Sequence, residues 1–441
     1  MFQQTLHQMG FWLTWLIIPF VFEAIPTLAS CLHLLLSKRP TDAKLPDFLP
    51  QLTVIVPVLN SEDTLARCLK SIAASDYPTD HLLVFVVDNG STDSSFQVFA
   101  KCQEELTDLR MNWLTAPAGK AAALNAAIYQ SNSPFVVNID SDGRLEKHAL
   151  SRVIAEFNAD PDLDALTGTV LTDHALIKKP RRLLKLNEYF EYCQVFLAGR
   201  NIENETGELF TLSGAFSAFR RTTLVQSFLY STTTLSEDTE MTFQIRYRLR
   251  GKPGFCPHAI FYTAPIEGFG KLYTQRQRWQ RGEMEVVQTY LGGQLSLRNF
   301  FKSFQVRRLL VDHTVNLIKT IWLGAAIILP AFGYSLRSLL LSYFLIYCMY
   351  LLLEFATSIC VISYMKPFPE ERHYYLTHLW LAFLQPFHNL LCSLIRCVGI
   401  INFYTARASW RGPGFGQELG KIARVIKQDC KLVFRRRHYD D

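Results

Sequence analysis

The sequence predicts an α/β domain built on a parallel sheet and set between hydrophobic segments that cross a membrane. Three observations carry this. Short, continuously apolar runs alternate with helical periodicity between residues 52 and 139, the pattern of strands buried on both faces of a parallel sheet. The stretch Phe11 to Leu36 is apolar apart from Glu23 and His33, long enough for a bilayer core that takes ~20 residues. From Arg307 onward three further long apolar stretches follow, Leu309 to Tyr334, Leu339 to Tyr364 and Tyr374 to Phe403.

The elements follow in order. The first apolar stretch has no Lys or Arg before it and no small-residue cleavage site after it, so an uncleaved anchor is expected rather than a signal peptide. Lys38 and Arg39 come directly after and place the next segment in the cytosol by the positive-inside rule. Leu45 to Pro50 reads as a linker. Strands are expected at Leu52 to Pro57, His81 to Asp88, Met111 to Leu114 and Pro134 to Ile139, and helices at Glu62 to Ser75, Ser94 to Leu106 and Gly119 to Gln130. The expected organisation is an anchor at 1–40, a globular domain at 50–290, interfacial and membrane helices at 291–405, and a basic juxtamembrane tail at 406–441.

Polar residues in the late apolar stretches (Asp312, His313, Asn316 and Lys319, then Pro386, His388, Asn389 and Arg396) are costly at membrane depth and imply a protein interior or a wet passage. Four simple spans would put the tail outside, against its charge. One stretch must therefore be interfacial, re-entrant or double, and Tyr374 to Phe403, interrupted at Pro386, is the expected one. The net charge of +6 over 441 residues is too mild to point to a nucleic-acid partner, and none is expected. The basic run Lys421 to Arg437 suits anionic lipid headgroups. The 10 cysteines include no C-x-x-C pair, which argues against a zinc site and against a disulfide framework and suits a reducing compartment.

Ligands of an open parallel sheet bind at the carboxyl ends of its strands. There the chain carries Asn60 and Glu62, then Asp88-Asn89-Gly90-Ser91-Thr92-Asp93, then Asp140-Ser141-Asp142. Two carboxylates on one tight turn suit Mg²⁺ or Mn²⁺ bridging a diphosphate. Gly119-Lys120 opens a helix that could face phosphate. Glu237 or Asp238 could serve as a general base. In Gln275-Arg276-Gln277-Arg278-Trp279, arginines can clamp a diphosphate and the indole can stack on a sugar.

In order, the chain therefore holds Val56-Pro57-x-x-Asn60-x-Glu62, Val87-Asp88-Asn89-Gly-Ser-Thr-Asp93, Gly119-Lys120-x-x-Ala123-Leu124-Asn125, Asp140-x-Asp142, Gly214-Ala-Phe-Ser-Ala-Phe219-Arg220-Arg221, Glu237-Asp238 and Gln275-x-x-Arg278-Trp279. This ordered set resembles the family 2 inverting glycosyltransferases of the GT-A fold, and within them the membrane synthases of cellulose, hyaluronan and poly-N-acetylglucosamine. The resemblance implies a mixed, mainly parallel Rossmann-like sheet in a cytosolic domain of a multi-pass plasma-membrane protein. It implies a UDP-sugar donor, and a polysaccharide that the enzyme elongates and exports, with an accessory export protein as a further partner. By resemblance Pro57, Glu62, Asp88, Lys120 and Asp140 contact the nucleotide. Asp140 and Asp142 hold the metal, and Asp238 is the base. Phe219, Arg220, Glu237, Gln275, Arg278 and Trp279 serve the diphosphate and acceptor. Asn89 departs from the usual second Asp and leaves one carboxylate fewer at the nucleotide. Two other functions fit the layout: a single-addition transferase on a lipid or polyprenyl-linked acceptor, and a non-catalytic membrane scaffold.

Overall fold

Strand β1 (Leu52–Val58) is buried at all seven positions, because both of its faces meet helices. In a computed structural model the described residues are 17–37, 43–293, 296–300, 306, 316–405, 414–420 and 424. Val54, Val56 and Val58 point into one apolar cluster, with Leu65, Leu69 and Phe99 from the helices Leu65–Ala73 and Ser95–Glu105. Ile55 points into the other, with Ala123, Leu124 and Ala127 of the helix Lys120–Gln130. Alternation along a strand sends successive side chains to opposite faces, so this one strand anchors both layers.

The remaining strands are β2 (Leu82–Asp88), β3 (Arg110–Thr115), β4 (Phe135–Ile139), β5 (Arg144–Leu145), β6 (Leu163–Thr172), β7 (Phe216–Arg220) and β8 (Lys252–Thr263). They form one sheet in the order β3-β2-β1-β4-β7-β6-β8-β5. The half from β3 to β4 is parallel, as the alternating pattern predicts. The other half is mixed: β7 runs antiparallel to both β4 and β6, β6 and β8 are parallel, and β5 is antiparallel to β8. β5, β6, β7 and β8 were not expected from the sequence. Every expected strand and helix between 52 and 139 is present.

Three described helices are long and apolar enough to cross a membrane: Ile17–Leu36, Leu336–Tyr364 and Gln385–Thr405. The chain is thus a membrane protein. The expected stretch Tyr374 to Phe403 is divided. A short helix, Pro369–Thr377, buries Glu371 and Tyr375, a 3-10 turn follows at Leu379–Phe383, and the span begins only at Gln385. Pro386 sits in the first turn of that span, where a missing N–H costs nothing. Of the stretch Leu309 to Tyr334, the described part is a 13-residue helix, Asn316–Ile328, and a 3-10 turn, Leu329–Phe332. Asp312, His313 and nearly all of the basic tail lie outside the described residues.

Two carboxylates at membrane depth, Glu23 and Glu354, have side-chain partners. Lys319 donates to Glu23 Oε1 at 2.7 Å, and the Tyr350 hydroxyl donates to Glu23 Oε2 at 2.7 Å, joining the spans Ile17–Leu36 and Leu336–Tyr364 and the shorter helix Asn316–Ile328. Glu354 accepts from Gln194 at 2.7 Å and from Asn389 at 2.9 Å. The nine cysteines among the described residues are all free.

Candidate active site

The site is built where β1, β2 and β4 end and β7 begins. Asn60 takes a left-handed conformation (φ 54°), which an Asn side chain tolerates, and turns the β1 loop toward the β2 loop. The Thr92 amide donates to Asn60 Oδ1 at 2.9 Å, and the Ser91 amide donates to Asp88 Oδ1 at 2.8 Å. Asp93 accepts from the Glu62 amide at 3.0 Å, while the Glu62 carboxylate accepts from the Ser94 amide at 2.9 Å. Glu62 and Asp93 thus fasten the two loops and cap the helix that follows. Pro57 is buried inside β1, opposite Val87. Asp88 stands half-buried at the open end of β2.

The turn Asp140-Ser141-Asp142 is held from beneath. The Asp140 amide donates to the Ala215 carbonyl at 3.2 Å, and Ser141 shares a hydroxyl hydrogen bond with Ser61 at 2.8 Å. Arg67 donates to the Asp142 carbonyl at 2.9 Å and to Asp173 at 3.2 Å, and Arg144 donates to Asp173 at 2.8 Å. Asp173 is 2% exposed, so these arginines and their shared acid form a rigid floor under the turn. Asp142 itself is exposed to solvent. The surrounding protein, then the neighbouring Asp140, push its carboxyl up to about 6. A pair of adjacent oxygen donors that repel each other fits a divalent cation by donor type and by charge.

Lys120 donates to Asp140 Oδ1 and to the Gly214 carbonyl, the latter at 2.9 Å. Burial works to lower its pKa, but Asp140, Glu237 and Asp238 outweigh it and leave it raised. Asp238 opens the helix Glu237–Phe243. Its Oδ2 accepts from the Gly214 amide at 2.9 Å and its Oδ1 from the Thr239 amide at 2.7 Å. Glu237 is buried, and burial, then Asp238, raise its pKa.

The helix Phe269–Leu291 carries Gln275, Arg278 and Trp279, which at spacings of three and four share one face. All three are half-buried, and Trp279 stands edge-on to Phe196. Two glycines fix this helix. A Cβ at Gly282 would collide with Ser236, falling 2.9 Å from its backbone nitrogen, so the helix lies directly on the segment that leads into Asp238. A Cβ at Gly399 would lie 3.2 Å from Gln280 Cβ, so the span Gln385–Thr405 crosses the same helix at close range.

Three expectations need revision. Phe219 is 1% exposed and packs edge-on to Tyr230. Arg220 donates to the Leu163 carbonyl at 2.7 Å and the Phe157 carbonyl at 2.9 Å. β7 runs away from the site, and Arg220 pairs with Phe135 at the far end of β4; neither residue faces the cleft. Arg276 is also no solvent-facing clamp. It is 1% exposed, donates to Glu191 Oε2 at 2.7 Å and lies 4.3 Å from the Trp279 ring centroid. Burial works to raise the Glu191 pKa, but Arg276 and His388 bring it down to about 2. Gly214 stood in a quoted motif without a role, and Arg67, Asp173 and Glu191 were not singled out from sequence.

The cleft thus gathers Asp88, Lys120, Asp140, Asp142, Glu237 and Asp238 at one sheet edge, with Gln275, Arg278 and Trp279 on the adjoining helix. A family model described as glycosyltransferase like family 2 matches residues 50–282. Among curated relatives, poly-beta-1,6-N-acetyl-D-glucosamine synthase of Staphylococcus aureus (strain MSSA476) is 26% identical over 269 residues, covering 59% of each chain. The synthase of the same name from Staphylococcus epidermidis is 23% identical over 261 residues, covering 58% of each. The chain matches about three-fifths of the length of these relatives. Among solved structures, the mannosyltransferase PcManGT from Pyrobaculum calidifontis, in complex with GDP-Man and Mn²⁺, superposes with a TM-score of 0.56 at 19% identity, covering 87% of this chain and 97% of that one. The likeness shows the shared GT-A fold. With more than half of its length inside the family match, this chain belongs to glycosyltransferase family 2.

Proposed function

We propose that the protein is a metal-dependent, inverting membrane glycosyltransferase that moves a sugar from a UDP-sugar to a growing polysaccharide and passes the product across the membrane. The observation that carries the reading is the convergence of Lys120, Asp140 and Asp238 around Gly214, with a base held on the amide and a cation on the carbonyl of one residue. The names of the curated relatives make N-acetylglucosamine the first donor sugar to test. The catalytic domain faces the cytosol, because Lys38 and Arg39 follow the first span.

Asp238 takes the proton of the acceptor hydroxyl as its oxygen bonds to the sugar's anomeric carbon from the face opposite the diphosphate. The bond from that carbon to the diphosphate oxygen breaks, and UDP leaves with the electron pair. Two backbone amides fix the Asp238 carboxylate, so it reaches the transition state already oriented. Lys120 and Arg278 supply positive charge to the leaving diphosphate, and Trp279 offers a face to the acceptor sugar. Asp140 and Asp142 would hold a divalent cation, which when bound would neutralise charge on the same leaving group. Asp88 reads the nucleoside at the end of β2.

A single addition to a lipid acceptor is the second reading. It is favoured by the pairing of His388 with Glu191 and of Asn389 with Glu354, which commits polar side chains at membrane depth to one another rather than to a passage. The test is turnover of radiolabelled UDP-sugars with Mn²⁺ or Mg²⁺, followed by product sizing. Long polymer supports the first reading and a single-sugar lipid the second; no turnover with any nucleotide sugar overturns both.

A further inference from the structure

Behind Arg276, which lies against Trp279, three side chains that commonly ligate transition metals meet in the protein interior. His388 and Cys392 lie four residues apart on the span Gln385–Thr405, and so on one face of it. Glu191 comes from the helix Arg182–Tyr192. All three are buried. His388 Nε2 lies 2.9 Å from Glu191 Oε2 and 3.6 Å from Cys392 Sγ, and the three donor atoms fall within 4.8 Å of one another. A tetrahedral zinc with bonds of about 2.0 Å to N and O and 2.3 Å to S puts its donor atoms roughly 3.3–3.5 Å apart. The observed triangle needs shifts of only a few tenths of an ångström on its measured sides.

We propose that Glu191, His388 and Cys392 form a transition-metal site, of zinc type, that staples the membrane span to the catalytic domain. The donor set decides the metal: a thiolate, an imidazole and one carboxylate favour a borderline-soft ion, whereas the all-oxygen pair Asp140 and Asp142 favours Mg²⁺ or Mn²⁺. Arg276 does not compete for the place. Its Nη2 donates to Glu191 Oε2 at 2.7 Å, the hydrogen bond from an outer-shell partner that ligating carboxylates generally receive. Binding expels the thiol proton, and Nε2 yields its proton to solvent or, by tautomer exchange, to Nδ1. Because Arg276 lies beside Gln275 and Trp279 on one helix, an occupied site fixes that helix to the membrane through Glu191.

The test uses the full-length protein in detergent, stripped by chelator and titrated with Zn²⁺, with Co²⁺ as a spectroscopic probe. The wild type is expected to bind one Zn²⁺ per chain, to gain thermal stability from it, and to show a thiolate-to-Co²⁺ charge-transfer band that an all-oxygen site cannot give. Cys392→Ala leaves the Glu191–His388–Arg276 contacts in place. It should abolish the band and weaken Zn²⁺ by more than the ~10–100-fold that loss of an outer-shell partner costs. Cys392→Ser serves if the alanine variant does not fold. A folded wild type without the band, or a Cys392 variant that keeps both band and affinity, overturns the site. Both readouts are metal binding, so they are separate from the turnover assay that tests sugar transfer.

Discussion

The Gly214 amide donates to Asp238 Oδ2 at 2.9 Å, and the carbonyl of the same residue accepts from Lys120 at 2.9 Å. A Cβ at this position would lie 3.0 Å from Asp238 Oδ2 and 3.4 Å from Lys120 Nζ. Gly214→Ala must therefore displace the proposed base by a few tenths of an ångström. The expected result is a kcat ~10–100-fold lower, since misplacement on this scale is costly, with UDP affinity by calorimetry nearly unchanged. A wild-type kcat would show that Gly214 does not set the base.

Asp238→Asn tests the base directly. Loss of a general base costs ~10²–10⁴-fold in rate. UDP binding should survive, because the Asp238 carboxylate is bound to the Gly214 and Thr239 amides. Loss of UDP binding instead would move Asp238 from proton transfer to the donor site.

Glu188 gives the fold a pH dependence. It is 1% exposed, accepts from the Ile266 amide at 2.7 Å, and burial pushes its carboxyl up to about 7. The folded chain thus holds a proton that the unfolded chain releases near the ordinary glutamate value, so this group lowers stability as pH rises from about 4.5 to 7. Glu188→Gln keeps an acceptor for Ile266. It should leave Tm unchanged at pH 5 and raise stability at pH 8 by on the order of 2–3 kcal/mol. Equal Tm values for variant and wild type across that range would refute the buried acid.

Lys319→Met leaves Glu23 facing the membrane interior with only the Tyr350 hydroxyl for a partner. Orphaning a buried charge costs ~3–5 kcal/mol, whereas replacing both partners is often neutral. Thermal denaturation in detergent should show a large loss for Lys319→Met and recovery in the double variant with Glu23→Gln. Additive losses would indicate that the pair is not a clamp.

The parallel half of the sheet and the cleft acids were legible because each strand from β1 to β4 is a local apolar run and each acid follows directly on a strand end. β6 and β8 were not. β6 is interrupted by Thr167, Gly168 and Thr169, and β8 by Pro253, Gly254 and Pro257. Long-range pairing between the two strands holds them, which no local pattern reports. Phe219 and Arg220 misled because a motif gives position along a strand but not its direction relative to the cleft. No local pattern reports that the Glu62 carboxylate accepts from the Ser94 amide of the neighbouring loop. Arg276 and Arg278 are equivalent in a one-dimensional motif. Only the packing of the span against their helix buries one and leaves the other half-open.

The glycines at 282 and 399 have a mechanical consequence. With no side chains to act as cushions, the helix Phe269–Leu291 touches the lead-in to Asp238 on one side and a membrane span on the other. A tilt or sideways shift of that span, such as a thinner bilayer imposes, reaches the carboxylate almost undamped. The proposed base therefore stands two close helix contacts away from the lipid, and turnover should track bilayer thickness even when donor, acceptor and cation are held constant.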